Sequence, residues 1–217
     1  EAKAIATLNH INIVQIHEME RSVDGPYIVM EYVEGGSLVD ALVDGPMELE
    51  TAVDIICQIC DGLGVAHAHQ IIHRDIKPAN ILMTNAGVPK LSDFGLARQT
   101  SADHGQTQVG AILGTIDFMP PEQRLDATSV DERSDLWSLA ATLYQMVTGR
   151  SPKVIRLDIV AESLRPILAQ ALEDAKDDRY QSAVEFRDAL RASLKATGSS
   201  MMVDVDLGSG ECPACHA

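Results

Sequence analysis

The residues best suited to chemistry lie in one run, His73-Arg74-Asp75-Ile76-Lys77-Pro78-Ala79-Asn80, with Asp93-Phe94-Gly95 downstream. Two carboxylates (Asp75 and Asp93), an amide (Asn80) and an amine (Lys77) are the parts needed to move the terminal phosphoryl group of a nucleotide onto a hydroxyl. That reaction leaves a protein little covalent work, so positioning and charge compensation carry it. Carboxylate and amide oxygens are also hard ligands of the kind Mg²⁺ takes, with phosphate oxygens and water completing the set. Singly, each piece says little. An isolated Asp-Phe-Gly marks a turn, and an isolated loop aspartate is a solvated charge or a helix cap. The information lies in their order and in the downstream pieces Gly114-Thr115 and Pro120-Pro121-Glu122.

Regular elements must hold these residues in place. Over residues 48–69, apolar side chains recur at helical spacing (Val53, Ile56, Ile59, Cys60, Leu63), predicting a long helix that leads into the loop. Residues 81–83 and 88–91 flank Asn85-Ala86-Gly87, the pattern of a small hairpin that leaves it. Residues 131–148 are apolar nearly all round and stop at Gly149, so a helix buried on every side is expected. Amphipathic helices fit residues 161–175 and 181–194. Upstream, residues 1–10 read as the end of a helix. Residues 11–14, 17–19 and 27–30 read as short strands, with a turn at Asp24-Gly25-Pro26. Ser37 is placed to cap a short helix. Residues 98–115 form an irregular segment of a length often associated with function.

Composition narrows the class. A chain of 217 residues can build one large core. Its hydrophobic share of 46% and charged share of 23% are those of an ordinary globular protein. A formal net charge of -15 argues against a nucleic-acid partner, since phosphate backbones demand clustered Lys and Arg. No apolar run approaches the roughly 20 residues that cross a bilayer, and no signal-peptide pattern is present. Four cysteines in a chain of this size do not suggest a disulfide framework. A cytoplasmic location is expected.

In its motifs the chain resembles the eukaryotic-type serine/threonine protein kinases, in their bacterial form, through most of its length. The resemblance implies an α+β fold: a mostly helical C-lobe over 34–195 beneath an incomplete, β-containing N-lobe and hinge over 1–33. It implies transfer of the γ-phosphate of ATP, with Mg²⁺, to Ser or Thr hydroxyls of protein substrates. Asp75 then serves as base, Lys77 contacts the γ-phosphate, and Asn80 and Asp93 hold the metal. His73 is expected to pack against Phe94 in a structural role. Lys77 and Thr115 match a pairing of the Ser/Thr-specific members, whereas tyrosine kinases usually end this loop with Ala and Arg. Small-molecule phosphotransferases share the Asp…Asn…Asp skeleton but lack Gly-Thr…Pro-Pro-Glu. Glu122 and Arg179 match a buried ion pair, and Asp135 matches the residue that anchors the catalytic loop through its backbone. Ala140 stands where relatives usually carry Gly.

Further residues are implied by the same resemblance. Backbone groups of Glu31 and Val33 would read adenine, Met30 would guard the back of its pocket, Ser37 would reach the ribose and Leu82 would lie under the ring. On spacing alone, Leu82 is a core leucine. Arg74 sets a cation beside Asp75, and a phosphate on Thr107 would neutralise it; Thr100 and Ser101 are weaker acceptors. Without the resemblance, Thr107 reads as a solvated loop residue.

One departure limits the match. Glu1 corresponds to the helix glutamate whose lysine partner, like the phosphate-covering glycine loop, would precede residue 1, and no Gly-x-Gly-x-x-Gly occurs in the chain. The chain is therefore expected to be a fragment, weakly active or inactive when isolated. The alternative is a non-catalytic scaffold or nucleotide-binding pseudokinase module. At the other end, residues 196–211 read as a flexible linker, and Cys212-Pro213-Ala214-Cys215-His216 fits the start of a truncated zinc ribbon over 212–217. The same string also fits a c-type haem attachment pattern, which needs export. Cys57 and Cys60 share the spacing but lie on an apolar helix face, which points to packing.

Overall fold

Among the described residues a hairpin is the first regular element of the computed structural model, which describes residues 7–23, 25–94, 116–126 and 128–199. The expectations placed on Glu1, Thr107, Thr115, Cys212 and Cys215 lie outside those residues. Strand β1 (Ile16–Ser22) pairs antiparallel with β2 (Gly25–Met30), Ser22 opposite Gly25 and Ile16 opposite Met30. Gly25 takes φ +124°, a conformation open to glycine, so β2 begins within the expected turn. Residues 11–14 do not make a strand. They form a turn fastened to the body by one parallel bridge, Ile13 to Leu91, flanked by Val14 N–H to Leu91 O at 3.0 Å and Leu91 N–H to Asn12 O at 2.9 Å.

Ser37 precedes a single turn of helix, α1 (Leu38–Ala41), and the Asp40 carboxylate accepts both its N–H and its hydroxyl at 2.8 Å. The long helix α2 (Leu49–Ala68) follows the predicted span. Strands β3 (Ile81–Met83) and β4 (Pro89–Leu91) form the small hairpin, Ile81 opposite Leu91. Then come α3 (Pro121–Leu125), α4 (Glu132–Thr148), α5 (Arg165–Ala171) and α6 (Ala183–Ser199).

Helix α4 packs against α2 and α5. Asp131 caps its start by accepting Arg133 N–H at 3.0 Å, and Gly149 ends it in the left-handed conformation at φ +67°. Leu136, Leu139, Leu143 and Met146 are fully buried in one cluster with Ile56, Ile59 and Leu63 of α2 and Phe186 and Leu190 of α6. Each such side chain contributes about 1.5–3 kcal/mol through burial. Cys57 and Cys60 sit in this cluster, and burial pushes the Cys57 thiol up to about 11, so both are packing groups.

Two helix bounds differ from expectation. Helix α5 is shorter than 161–175 because Pro166 fixes its first turn and the Glu173 and Asp174 carbonyls are taken by the Arg179 guanidinium. Helix α6 runs on to Ser199, into the stretch expected to be linker. Among the described residues, no helix is long and apolar enough to cross a membrane.

Candidate active site

The loop that carries Asp75 is held from beneath by the first turn of α4. Asp135, 1% exposed, accepts the backbone N–H of His73 on Oδ2 and that of Arg74 on Oδ1, each at 2.8 Å. His67 Nε2, from the last turn of α2, adds a third contact to Oδ2 at 2.9 Å. A carboxylate this deep persists only if its lone pairs are met, and here three groups meet them. The restraint matters because Arg74 sits at φ +71°, which a side-chain-bearing residue adopts at a cost of about 1–2 kcal/mol.

His73 ties this loop to the strand that delivers Asp93. Its Nε2–H donates to Ser92 O at 2.7 Å, and its Nδ1 accepts Asp75 N–H at 3.2 Å. Those two bonds require the neutral ring, and burial lowers its pKa in the same sense. Phe94 meets the ring edge-on, centroids 4.6 Å apart at 60°. Histidine and phenylalanine thus form a buried brace between the two acidic motifs.

Asp75, Lys77 and Asn80 meet beside that brace. Lys77 Nζ lies 2.7 Å from Asp75 Oδ2. Asn80, in the 3₁₀ turn Pro78–Asn80, donates Nδ2 to Asp75 O at 2.8 Å and to Asp75 Oδ2 at 3.0 Å. With its nitrogen so committed, Asn80 has its amide oxygen left to offer a ligand. Ser92 Oγ stands 3.1 Å from both Asn80 O and Asp93 Oδ2, which couples the two acidic motifs at one hydroxyl. Asp93 itself holds φ +61°, strain of the sort found at sites that fix a side chain's direction. Among the described residues the Asp75 carboxylate is contacted on Oδ2, by Lys77 and Asn80.

The predicted adenine residues lie between the hairpin and β3. Glu31 N–H is spent on Gln15 O at 2.8 Å. Burial raises the Glu31 pKa, but bonds from Lys90 at 3.0 Å and Gln15 N–H at 3.1 Å outweigh it, so the carboxyl lies below its ordinary range. Tyr32 is exposed and Val33 half-buried. Leu82 is also half-buried, unlike fully buried Ile81 beside it, and bridges Ser37. The Ser37 hydroxyl is bonded to Asp40. Met30 joins Val14, Ile16 and Ile28 around a small cavity bordered by Asp93 and Phe94. A larger open cavity of about 760 Å³, lined by His10, Gln15, His17 and Lys90 among others, shares Glu31 but none of the phosphoryl-transfer residues.

Glu122 of α3 binds Arg179 and accepts Ser134 Oγ at 2.6 Å. Burial raises the Glu122 pKa, but the bonds from Arg179 and Ser134 overcome it and keep the carboxyl below its usual range. Gln123, the next residue, donates Nε2 to Arg74 O at 2.9 Å. The Arg74 guanidinium has no hydrogen-bond or ion-pair partner among the described residues.

Several contributors were not foreseeable from sequence: Asn12, His67, Ser92, Gln123 and Gly35. Asn12 donates to Pro89 O at 2.8 Å and fastens the upper segment to β4. A Cβ on Gly35 would stand 2.3 Å from Met83 O, so glycine is needed for that close approach. Each acts over a long sequence separation, His67 through the Asp135 side chain and the others through backbone atoms, which local patterns do not register. The adjacency of Glu122 and Gln123 was the one available signal, because neighbours on a helix point about 100° apart and so address different elements.

Comparison with known proteins bears on the whole arrangement. Residues 1–199 match the family model described as the protein kinase domain. The chain is 37% identical to serine/threonine-protein kinase Pkn1 of Myxococcus xanthus, over 89% of this chain and 31% of that protein. It is 38% identical to serine/threonine-protein kinase PknB of Mycobacterium leprae, over 86% of this chain and 34% of that protein. PknB of Mycobacterium tuberculosis gives 37%, with the same shares. The chain spans about a third of the length of these curated relatives.

Proposed function

The chain belongs to the protein kinase domain family, and on that premise we propose that it carries out ATP-dependent phosphorylation of Ser and Thr hydroxyls on proteins. Its fold is the α+β fold of that family, with a helical C-lobe and a limited N-lobe sheet. The observation that carries the functional reading is the cluster of Asp75, Lys77, Asn80 and Asp93 braced by Ser92 and His73.

In this reading Asp75 orients the incoming hydroxyl and accepts its proton on the carboxylate, most readily at Oδ1. Asn80 and Lys77 hold Oδ2 and keep the carboxylate aimed. Lys77, whose ammonium has three donors, turns part of its charge toward the transferred phosphoryl group. Asn80, through its amide oxygen, and Asp93, through its carboxylate, form a hard oxygen donor set that fits Mg²⁺. When bound, the metal would neutralise charge on the nucleotide phosphates. Leu82 and the backbone at Glu31 and Val33 hold the adenine, with the Glu31 carbonyl as its group for the base. Such ATP chemistry belongs in the cytoplasm. Arg74 is the group that a phosphate on Thr107 would engage. Cys212 and Cys215 remain candidates for half of a zinc module.

The native protein that carries this chain, given ATP labelled at the γ-phosphate and Mg²⁺, should label protein substrates on serine and threonine. Label found only on tyrosine, or only on small molecules, would contradict the assignment.

A further inference from the structure

The Arg74 peptide is gripped from both ends, and one of the two grips has no role in the mechanism above. Asp135 holds the Arg74 N–H at 2.8 Å, and Gln123 Nε2 holds the Arg74 carbonyl at 2.9 Å. The residue between these bonds is in the left-handed conformation at φ +71°, and its carbonyl belongs to the peptide unit that leads directly into Asp75. Turning that peptide would swing the Asp75 side chain. The orientation of the Gln123 amide is fixed by chemistry, since the flipped form would face oxygen to oxygen.

Gln123 also carries a cost that packing does not explain. Its Oε1 is buried and has no hydrogen-bond partner among the described residues. A buried acceptor left unmet costs about 1–3 kcal/mol. A methionine of similar length would avoid that cost, so stability alone does not call for glutamine here. Helix α3 is firmly placed by Glu122 on buried Arg179, and Gln123 therefore reaches the catalytic loop from a fixed base.

We propose that Gln123 is a positioning residue for phosphoryl transfer, holding the Arg74–Asp75 peptide so that the Asp75 carboxylate faces the acceptor hydroxyl. This rests on the reading of Asp75 as base. It couples the segment that receives the protein substrate to the group that deprotonates it.

The test uses Gln123→Met and Gln123→Glu in the native protein that carries this chain, with Asp75→Asn alongside. Neither substitution can donate to the Arg74 carbonyl at neutral pH, and Met also removes the orphaned acceptor. A displacement of about 1 Å costs on the order of 10²-fold in rate. The expected result is a fall in kcat of about 10- to 100-fold for both variants, KM for ATP within about twofold of wild type, and a melting temperature for Gln123→Met no lower than wild type. A kcat within about twofold of wild type in either folded variant overturns the proposal. Loss of folding in both also overturns it, because the role would then be structural. Should Asp75→Asn retain wild-type activity, the reading of Asp75 fails instead, and the two failures are thus told apart.

Discussion

Arg179 and Glu122 meet through two parallel hydrogen bonds, Nη1 to Oε1 and Nη2 to Oε2, each 2.8 Å, with the guanidinium side chain fully buried. The remaining Arg179 donors go to the Glu173, Asp174 and Arg133 carbonyls at 2.7, 3.0 and 3.4 Å. The pair joins α3, beside the substrate segment, to the loop before α6. Removing one member leaves a buried charge unmet, so Arg179→Ala should lose about 3–5 kcal/mol of stability. Urea denaturation checks this, and a midpoint close to wild type would show that the pair is dispensable.

Asp135 should matter to both folding and rate. Asp135→Asn keeps one acceptor oxygen but sets an NH₂ against backbone or His67 donors. The catalytic loop is expected to loosen, lowering kcat by at least about tenfold while helical content is preserved, as a carboxylate-held loop loses about 2–3 kcal/mol of charge-assisted bonding. Steady-state kinetics with far-ultraviolet circular dichroism would show it. Unchanged kcat would mean that the loop is held elsewhere.

Acid should weaken the fold through His73. Its folded pKa is lowered, chiefly by burial, so the unfolded chain binds the proton more readily. The stability that the neutral ring contributes is therefore present above the unfolded value near 6.5 and is lost as pH falls below it. Glu122 and Asp131, the latter held at about 2, act in the same direction only at lower pH, as it falls through the ordinary carboxylate values toward their lowered folded ones. Denaturant midpoints at pH 7.5 and 5.5 should therefore differ more for wild type than for His73→Phe. Equal differences would remove His73 as the source.

Gly35 is constrained by space. Any Cβ there meets the Met83 carbonyl, a backbone atom that cannot step aside. Gly35→Ala should destabilise by about 1–3 kcal/mol and weaken ATP binding, since the segment after Val33 would lift from β3. Thermal melting together with nucleotide titration checks both. A variant that melts and binds like wild type would contradict the close approach.

How legible was this in the sequence? Helices α2 and α4 could be read nearly to the residue because one long apolar period and a terminal Gly149 define them locally. The β3–β4 hairpin could be read from its Gly87 turn, where φ is +77°. The run from His73 to Asn80 and Asp93 could be read because motif order survives without knowledge of the fold. Contacts made by backbone atoms far apart in sequence could not be read. Asn12 reaching Pro89 and Gln123 reaching Arg74 leave no periodic trace. Helix α5 was overextended for a related reason: its terminal carbonyls are claimed by a buried arginine, which spacing cannot reveal.

The most direct test of the central claim compares wild type with Asp75→Asn and Asp93→Asn in the native protein, reading transfer of γ-phosphate from ATP to a Ser/Thr protein substrate with and without Mg²⁺. Mg²⁺-dependent transfer is expected of wild type. Asp75→Asn should lose about 10²–10⁴-fold, the range expected for a positioned base, and Asp93→Asn should lose Mg²⁺-dependent transfer. Transfer by either variant within about twofold of wild type, or transfer by wild type indifferent to Mg²⁺, would contradict that claim.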